Sequence, residues 1–167
     1  GTNSWKNGNY EEHCKNLSIA GKKHAQTDAG KAHYKRLSII SKEYHTKKYS
    51  EELIAIADIL IEKQKYSWAC FTLQQASAAA LKSILSKKDE STYGDNLIKH
   101  LRLIGKHDTV PTEVKAACHN VNNFFTEARD LESVQTGTPI NKFTLKDADK
   151  AKKDALAIIR YAYHFAH

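Results

Sequence analysis

The sequence predicts an all-α protein, in which five helices form an up-and-down bundle preceded by one or two basic helices. Three observations carry this prediction. The segment 66–85 is apolar on nearly every side, which is typical of a helix at the centre of a bundle. The 167 residues include only two prolines and seven glycines, so the helices can be long. No segment shows a convincing alternation of apolar and polar residues, the pattern of a half-buried strand.

The net charge of +7 is concentrated near the start of the chain. Residues 1–49 hold ten basic and four acidic residues, whereas residues 50–167 hold sixteen and fifteen. We therefore expect a basic helical extension over 1–49 and a helical bundle over 50–167. Such an extension attracts polyanions, either nucleic acid or acidic protein surfaces. A solvated, lysine-rich face explains the same composition.

The sequence predicts the two helices of the extension with different clarity. Residues 10–26 form a weakly amphipathic pattern. Thr27 and Asp28 resemble an N-cap, and the apolar spacing that follows predicts a second helix running to about Lys48. Ser50 is then expected to cap a third helix, which ends near residues 63–65 and begins the bundle.

The central helix, residues 66–86, carries two amides among its apolar residues. A buried amide must find hydrogen-bond partners, so Gln74 and Gln75 are expected either to tie helices together or to contact a ligand. Asp95 or Asn96 then begins a short helix that Gly105 ends.

The last two helices have clear starting signals. Pro111 suits the first turn of a helix whose apolar residues continue to Ala128. A loop over 132–143 follows. Thr144 and Asp147 have the spacing of a capping box, and they open a final helix whose apolar stripe reaches Phe165.

Two motifs carry a resemblance to a known family. The first lies in the central helix and contains Phe71, Gln74, Gln75, Ala76, Ala80, Leu81 and Lys82. The second is Phe-Thr-Leu-Lys-Asp-Ala at 143–148. Both resemble motifs of HEPN domains, small helical nucleotide-binding domains, and the second resembles the start of the family's last helix. The resemblance covers about residues 50–167 and is strongest to the sacsin-type branch, where the domain follows a chaperone J domain. Residues 1–49 are not a J domain, because they lack its His-Pro-Asp motif.

The resemblance implies a binding site and also a missing catalytic group. It implies nucleotide contacts from Arg129, Lys82, Gln75 and Lys142. The family's ribonucleases carry a histidine four to six residues after an arginine, but Val134 and Gln135 stand five and six residues after Arg129. A salt bridge of Arg129 to neighbouring carboxylates, and a lysine stem packed at a cleft rim, are the structural alternatives for Arg129 and Lys82.

Arg102 and His107 have the arginine–histidine spacing, but on the short helix rather than at the family position. An arginine can hold a phosphate while a histidine moves a proton, so this pair is the only catalytic candidate. Gly105 is expected to end the helix between them. The sequence therefore favours a non-catalytic protein.

Composition sets further expectations about partners and surroundings. The cysteines Cys14, Cys70 and Cys118 are far apart and form no ligand cluster, so we expect a reducing, cytoplasmic location, no metal site and no cofactor. No apolar run approaches the roughly 20 residues that span a membrane. The chain lacks an initial methionine, so we expect Gly1 to begin inside a longer gene product or after a tag.

These observations favour a nucleotide- or RNA-associated binding module that dimerises within a larger protein. Two alternatives stay open. One is a protein-docking domain of a chaperone system without a nucleotide ligand. The other is a metal-independent ribonuclease of the HEPN type.

Overall fold

The structure, a computed structural model, describes residues 18–24, 26–90, 92–128 and 142–164. Within these ranges the chain is helical and has no strand, which confirms the expected all-α bundle. Residues 18–24 are helical. Six helices follow: α1 (Asp28–Glu62), α2 (Tyr66–Lys87), α3 (Leu97–Ile104), α4 (Thr112–Asn122), α5 (Phe124–Glu127) and α6 (Leu145–His164).

The chain divides into two compact units, residues 1–40 and residues 41–167. In the first unit, Thr27 caps α1 as the sequence predicts. The Gly30 amide donates to Thr27 Oγ1 over 2.9 Å, and the Lys31 amide donates to the Thr27 carbonyl over 2.8 Å. Asp28 follows in the first turn, where a negative charge favours the helix dipole.

The expected break between Lys48 and Ser50 is wrong, because α1 continues through both residues to Glu62. Neither glycine nor proline occurs between residues 31 and 62, so nothing in the sequence interrupts the helix. Ser50 is fully buried inside α1, and its Oγ donates to the Ala76 carbonyl of α2 over 3.1 Å. The serine therefore joins two helices instead of starting one.

The end of α1 lies where the sequence predicts it. Gln64 adopts a left-handed conformation (φ 56°), its amide donates to Ile61, and the Lys65 amide donates to Leu60. This pair of hydrogen bonds is a Schellman motif, which satisfies carbonyls in the last turn. The chain then reverses directly into α2.

Helix α2 is the centre of the second unit. It packs against α3, α4, α5 and α6. Its C-terminal half supplies Leu81, Ile84 and Leu85 to the larger hydrophobic cluster, and its N-terminal half supplies Leu73 to a second cluster. One side chain departs from the expectation that this helix is buried on nearly every side: Trp68, in its first turn, is 47% exposed.

The helices after α2 follow the expected order with one division. Asn96 caps α3, and its side chain accepts from the Lys99 amide over 3.0 Å. The helix expected to run to Ala128 instead separates at Asn123 into α4 and α5. Asparagine has a low helix propensity, and Asn122 and Asn123 stand together at this point.

The predicted capping box opens α6. The Thr144 amide donates to Asp147 Oδ2 over 2.9 Å, and the Thr144 hydroxyl donates to the same oxygen over 2.7 Å. These bonds lower the pKa of Asp147, with the hydroxyl as the largest cause. The predicted stripe is buried as far as Ala162, and Phe165 lies outside the described residues.

Candidate functional site

A polar cleft opens beside α2, between the loop that precedes α3 and the junction of α4 with α5. It encloses about 390 Å³. Its lining combines amides, carboxylates, one hydroxyl and one aromatic ring: Gly94, Asp95, Asn96, Asn122, Asn123, Phe125, Thr126 and Glu127. The wall residues come from segments about 25 residues apart, so the tertiary fold assembles this cleft.

The amides of α2 hold the loop side of the cleft in place. Gln74 is fully buried, and its Nε2 donates to the Asp95 carbonyl over 2.6 Å. Gln75 Nε2 in turn donates to Gln74 Oε1 over 2.6 Å. A buried amide without such partners would destabilise the fold. The two glutamines therefore fix the Asp95 backbone, which is the structural role that the sequence suggested for them.

The loop is held from two further directions. Lys82 Nζ forms a salt bridge with Asp95 Oδ1, and both side chains are about one-third exposed or less. The Leu97 amide, at the start of α3, donates to Asn122 Oδ1 over 2.8 Å. Gly94 has φ 77°, a conformation that disfavours other residues. The loop wall is therefore pre-organised.

The opposite wall combines a charged pair with aromatic rings. Glu127 Oε2 accepts from Lys142 Nζ over 2.8 Å. The ring of Phe125 lies 6.2 Å from that of Phe71, which lies 6.1 Å from the indole of Trp68. An aromatic row thus leads from the cleft to the exposed Trp68.

Beneath the loop lies a histidine that the sequence did not assign to a site, because no acidic residue accompanies it in the pattern. His100 on α3 is fully buried. Burial, as the largest cause, and the positive charge of Lys82 together lower its pKa to about 4. Its ring nitrogens lack a hydrogen bond of ordinary geometry within the described residues, although the nearby Gly94 backbone favours the protonated form. The imidazole is therefore neutral at pH 7.

Three of the predicted nucleotide-binding residues reach the cleft through a partner. Lys82 pairs with Asp95, Lys142 pairs with Glu127, and Gln75 connects to Asp95 through Gln74. The fourth, Arg129, lies outside the described residues. Most of the lining was not predicted. Gly94 and Asp95, whose residue types favour turns, were the only local feature of the sequence that pointed to this loop.

The structure places Arg102 and His107 away from the cleft. Arg102 is exposed in the last turn of α3, and Gly105 caps that helix. His107 follows the cap, and its Nε2 lies 2.9 Å from Glu90 Oε1. Because α3 spans eight residues, about 12 Å separates its two ends. His107 is therefore remote from the loop that lines the cleft.

The thiols and metal ligands add no further site to the described part of the chain. Burial raises the pKa of Cys70 and of Cys118 to about 12, which makes both thiols poor nucleophiles at neutral pH. Within residues 18–24, 26–90, 92–128 and 142–164, no three metal-ligating side chains cluster. Among the helices described above, none has the length and apolarity needed to cross a bilayer.

A family model described as HEPN domain matches residues 43–164, which is well over half of the chain. The chain belongs to the HEPN domain family. Its matched region includes the cleft and all of α2 to α6. No curated protein gives a significant match.

Solved structures share this HEPN fold. TT1696 from Thermus thermophilus has a TM-score of 0.72 and 20% identity, covering 74% of this chain and 98% of its own. The archaeal HEPN homologue ST0689 has a TM-score of 0.62 and 20% identity, covering 73% and 95%. A Thermotoga maritima HEPN domain protein, tm0613, has a TM-score of 0.59 and 22% identity, covering 72% and 95%. At these identities the likeness concerns the fold alone.

Proposed function

We propose that this HEPN domain is a non-catalytic module that binds a nucleotide or short RNA in the polar cleft and pairs with a second copy of itself. One observation carries the binding proposal: a pre-organised cleft presents amides, carboxylates and an aromatic ring together. Asparagine and aspartate side chains can hydrogen-bond base edges. Carboxylates accept from ribose hydroxyls, and a phenylalanine ring stacks on a base.

The charge of the cleft suits a ligand with few phosphates. Asp95 and Glu127 each engage a lysine, so the negative side chains of the lining are neutralised by Lys82 and Lys142. A phosphate that approaches either lysine must compete with the lysine's carboxylate partner. We therefore place base and ribose recognition in the described lining, with Arg129 as a proposed phosphate contact.

The positions of the histidines support a binding role over ribonuclease chemistry. Cleavage at a ribose 2′-hydroxyl needs a positioned general base. The described lining contains no histidine, His100 is buried and neutral, and His107 pairs with Glu90 beyond the far end of α3. The lining is thus equipped to hold a nucleotide rather than to transfer a proton.

One observation favours a second candidate, a protein-docking role. Trp68 is 47% exposed and stacks edge-on against Phe71, which makes it a suitable anchor for a partner protein. This candidate includes a chaperone-associated, sacsin-type role, which the resemblance of residues 68–71, Trp-Ala-Cys-Phe, to that branch suggests. It requires no nucleotide in the cleft.

A binding screen joined to a cleavage assay separates these functions. Mononucleotides, nucleoside triphosphates and a single-stranded RNA pentamer are titrated into the full chain by calorimetry. The same RNA is also incubated with the full chain in the presence of EDTA, and its cleavage is measured. The proposal expects saturable binding without cleavage. Cleavage that His107→Ala abolishes would establish the ribonuclease, whereas failure of every ligand to bind would favour protein docking.

A further inference from the structure

The second unit exposes an apolar stripe on the outer side of α1. Tyr49, Ile56 and Ile59 are 53%, 46% and 57% exposed, whereas Leu53 of the same helix is buried. With Glu52 and Lys63 they form the series 49, 52, 56, 59 and 63, whose steps of three and four residues keep all five on one helix face. We call these five residues the α1 stripe.

The stripe is separate from the face of α1 that packs in the core. Ser50, Leu53 and Ala57 are buried, and Ser50 bonds to α2. Ser50 and Ala57 lie more than a quarter turn from Ile56 and Ile59 around the helix, whereas Leu53 lies about a sixth of a turn from Ile56 and a third of a turn from Ile59. Ile56 therefore borders the core face, and Ile59 lies well away from it. Helix α1 therefore has two apolar faces, and its own bundle covers one of them.

The α1 stripe has opposite charges at its two ends, so it is complementary to the same stripe of a second copy. Glu52 lies at one end, Lys63 lies just beyond α1 at the other, and the two isoleucines lie between them. If two copies cross antiparallel about a two-fold axis level with residues 57 and 58, Glu52 faces the partner's Lys63. Ile56 then faces the partner's Ile59. A parallel arrangement would instead oppose each charge to its own kind, which is unfavourable.

We infer that the α1 stripe is an antiparallel two-fold interface with a second copy of this chain. The inference rests on the proposed pairing of two chains and assigns its surface. Lys63 now contacts the adjacent Glu62 at 3.2 Å, but both side chains are about 70% exposed. Such a surface pair contributes little, so Lys63 can exchange Glu62 for the partner's Glu52.

The size of the stripe sets the strength of the pairing. Three exposed apolar side chains, spread over about three turns of each helix, bury less area than the roughly 1,200–2,000 Å² of a stable interface. The dimer is therefore weak and depends on protein concentration. The two ion pairs select the antiparallel register rather than supplying most of the affinity.

Charge reversal tests both the surface and its register. Sedimentation of the full chain is compared for wild type, Glu52→Lys, Lys63→Glu and the double variant, with Glu113→Lys on α4 as the matched control. Each single reversal creates two like-charge contacts and should weaken dimerisation tenfold or more. The double variant, and an equimolar mixture of the two single variants, should restore it to within threefold.

The remaining outcomes show whether the α1 stripe is the wrong interface or whether the chain does not dimerise. A dimer that tolerates both single reversals and also Ile56→Glu would overturn the α1 stripe while leaving dimerisation through another surface. A chain that is monomeric at all concentrations would overturn both. Loss of the dimer in the single reversals without rescue in the mixture would refute the antiparallel register. Circular dichroism verifies that every variant is folded.

Discussion

Gln74 at the centre of α2 donates a 2.6 Å hydrogen bond to the backbone carbonyl of Asp95, which lines the polar cleft. The bond joins a fully buried side chain to a loop wall. A substitution that removes this bond therefore also affects the backbone of Asp95 in the cleft wall. The side-chain oxygen of Gln74 accepts from Gln75 Nε2, so Gln74 makes both contacts.

Replacing Gln74 by leucine should destabilise the fold and weaken nucleotide binding together. The variant leaves the Asp95 carbonyl without its donor and Gln75 without its acceptor, and an unsatisfied buried group costs about 1–3 kcal/mol. Urea unfolding measures this cost. Gln75→Leu is the matched control, with a smaller loss expected because Gln75 is half-buried and water can reach it. Equal stability of Gln74→Leu and wild type would contradict the proposed tether.

Ser50→Gly tests whether α1 runs unbroken through Ser50. In a helix interior, glycine is unfavourable, and the variant also loses the buried bond to Ala76, so we expect a cost of about 1–2 kcal/mol. At a true N-cap the same substitution costs only a few tenths of a kcal/mol. Thr27→Gly, at the observed N-cap, supplies that comparison by thermal unfolding. Similar small losses at both positions would restore the break before Ser50.

His100 should make stability depend on pH below neutrality. Its folded pKa of about 4 is lower than the roughly 6.5 of an unfolded histidine, so the unfolded chain binds a proton first. The stability due to the neutral ring is present above pH 6.5 and is lost progressively as the pH falls towards 4, by an amount of about 3 kcal/mol. His100→Gln should flatten this part of the profile, measured by urea unfolding at each pH. If His100→Gln preserved the wild-type slope, the neutral state of the buried ring would not be the cause.

The basic residues of the first unit should contribute salt-dependent affinity for RNA. Lys22, Lys23, Lys31 and Arg36 are exposed, and each phosphate contact steepens the fall of affinity with salt. Changing all four to glutamine should flatten the slope of log affinity against log salt by up to roughly three. Substitution is preferable to deleting residues 1–49, because that deletion would cut through α1 beside Ser50. An unchanged slope would show that these side chains serve only as a solvated face.

Local signals in the sequence predicted those parts of the fold that are determined locally. Thr27, Asn96 and the pair Thr144–Asp147 cap their helices as expected, because a cap depends on residues within one turn. Ser50 has the same local appearance, but its hydroxyl bonds to a carbonyl 26 residues away. A sequence pattern cannot distinguish these two environments.

The candidate site was predictable only in part for the same reason. The glutamines of α2 and Lys82 stood out because polar groups in an apolar helix need partners. Their partner Asp95 and the facing Asn123 and Phe125 lie in other segments, and only the tertiary fold brings them to one cleft. Trp68 is exposed in the first turn of α2, although the apolar pattern of that helix predicts burial.

The most direct test of nucleotide binding in the cleft is calorimetric titration of the RNA pentamer into wild type, Phe125→Ala and Lys115→Ala. Phe125 lines the cleft, whereas Lys115 lines a surface hollow near His107. Loss of base stacking costs about 1–3 kcal/mol, so Phe125→Ala should weaken binding roughly 5- to 150-fold. Lys115→Ala should change it less than twofold. Equal affinity of Phe125→Ala and wild type, or no binding by wild type at millimolar RNA, would contradict the account.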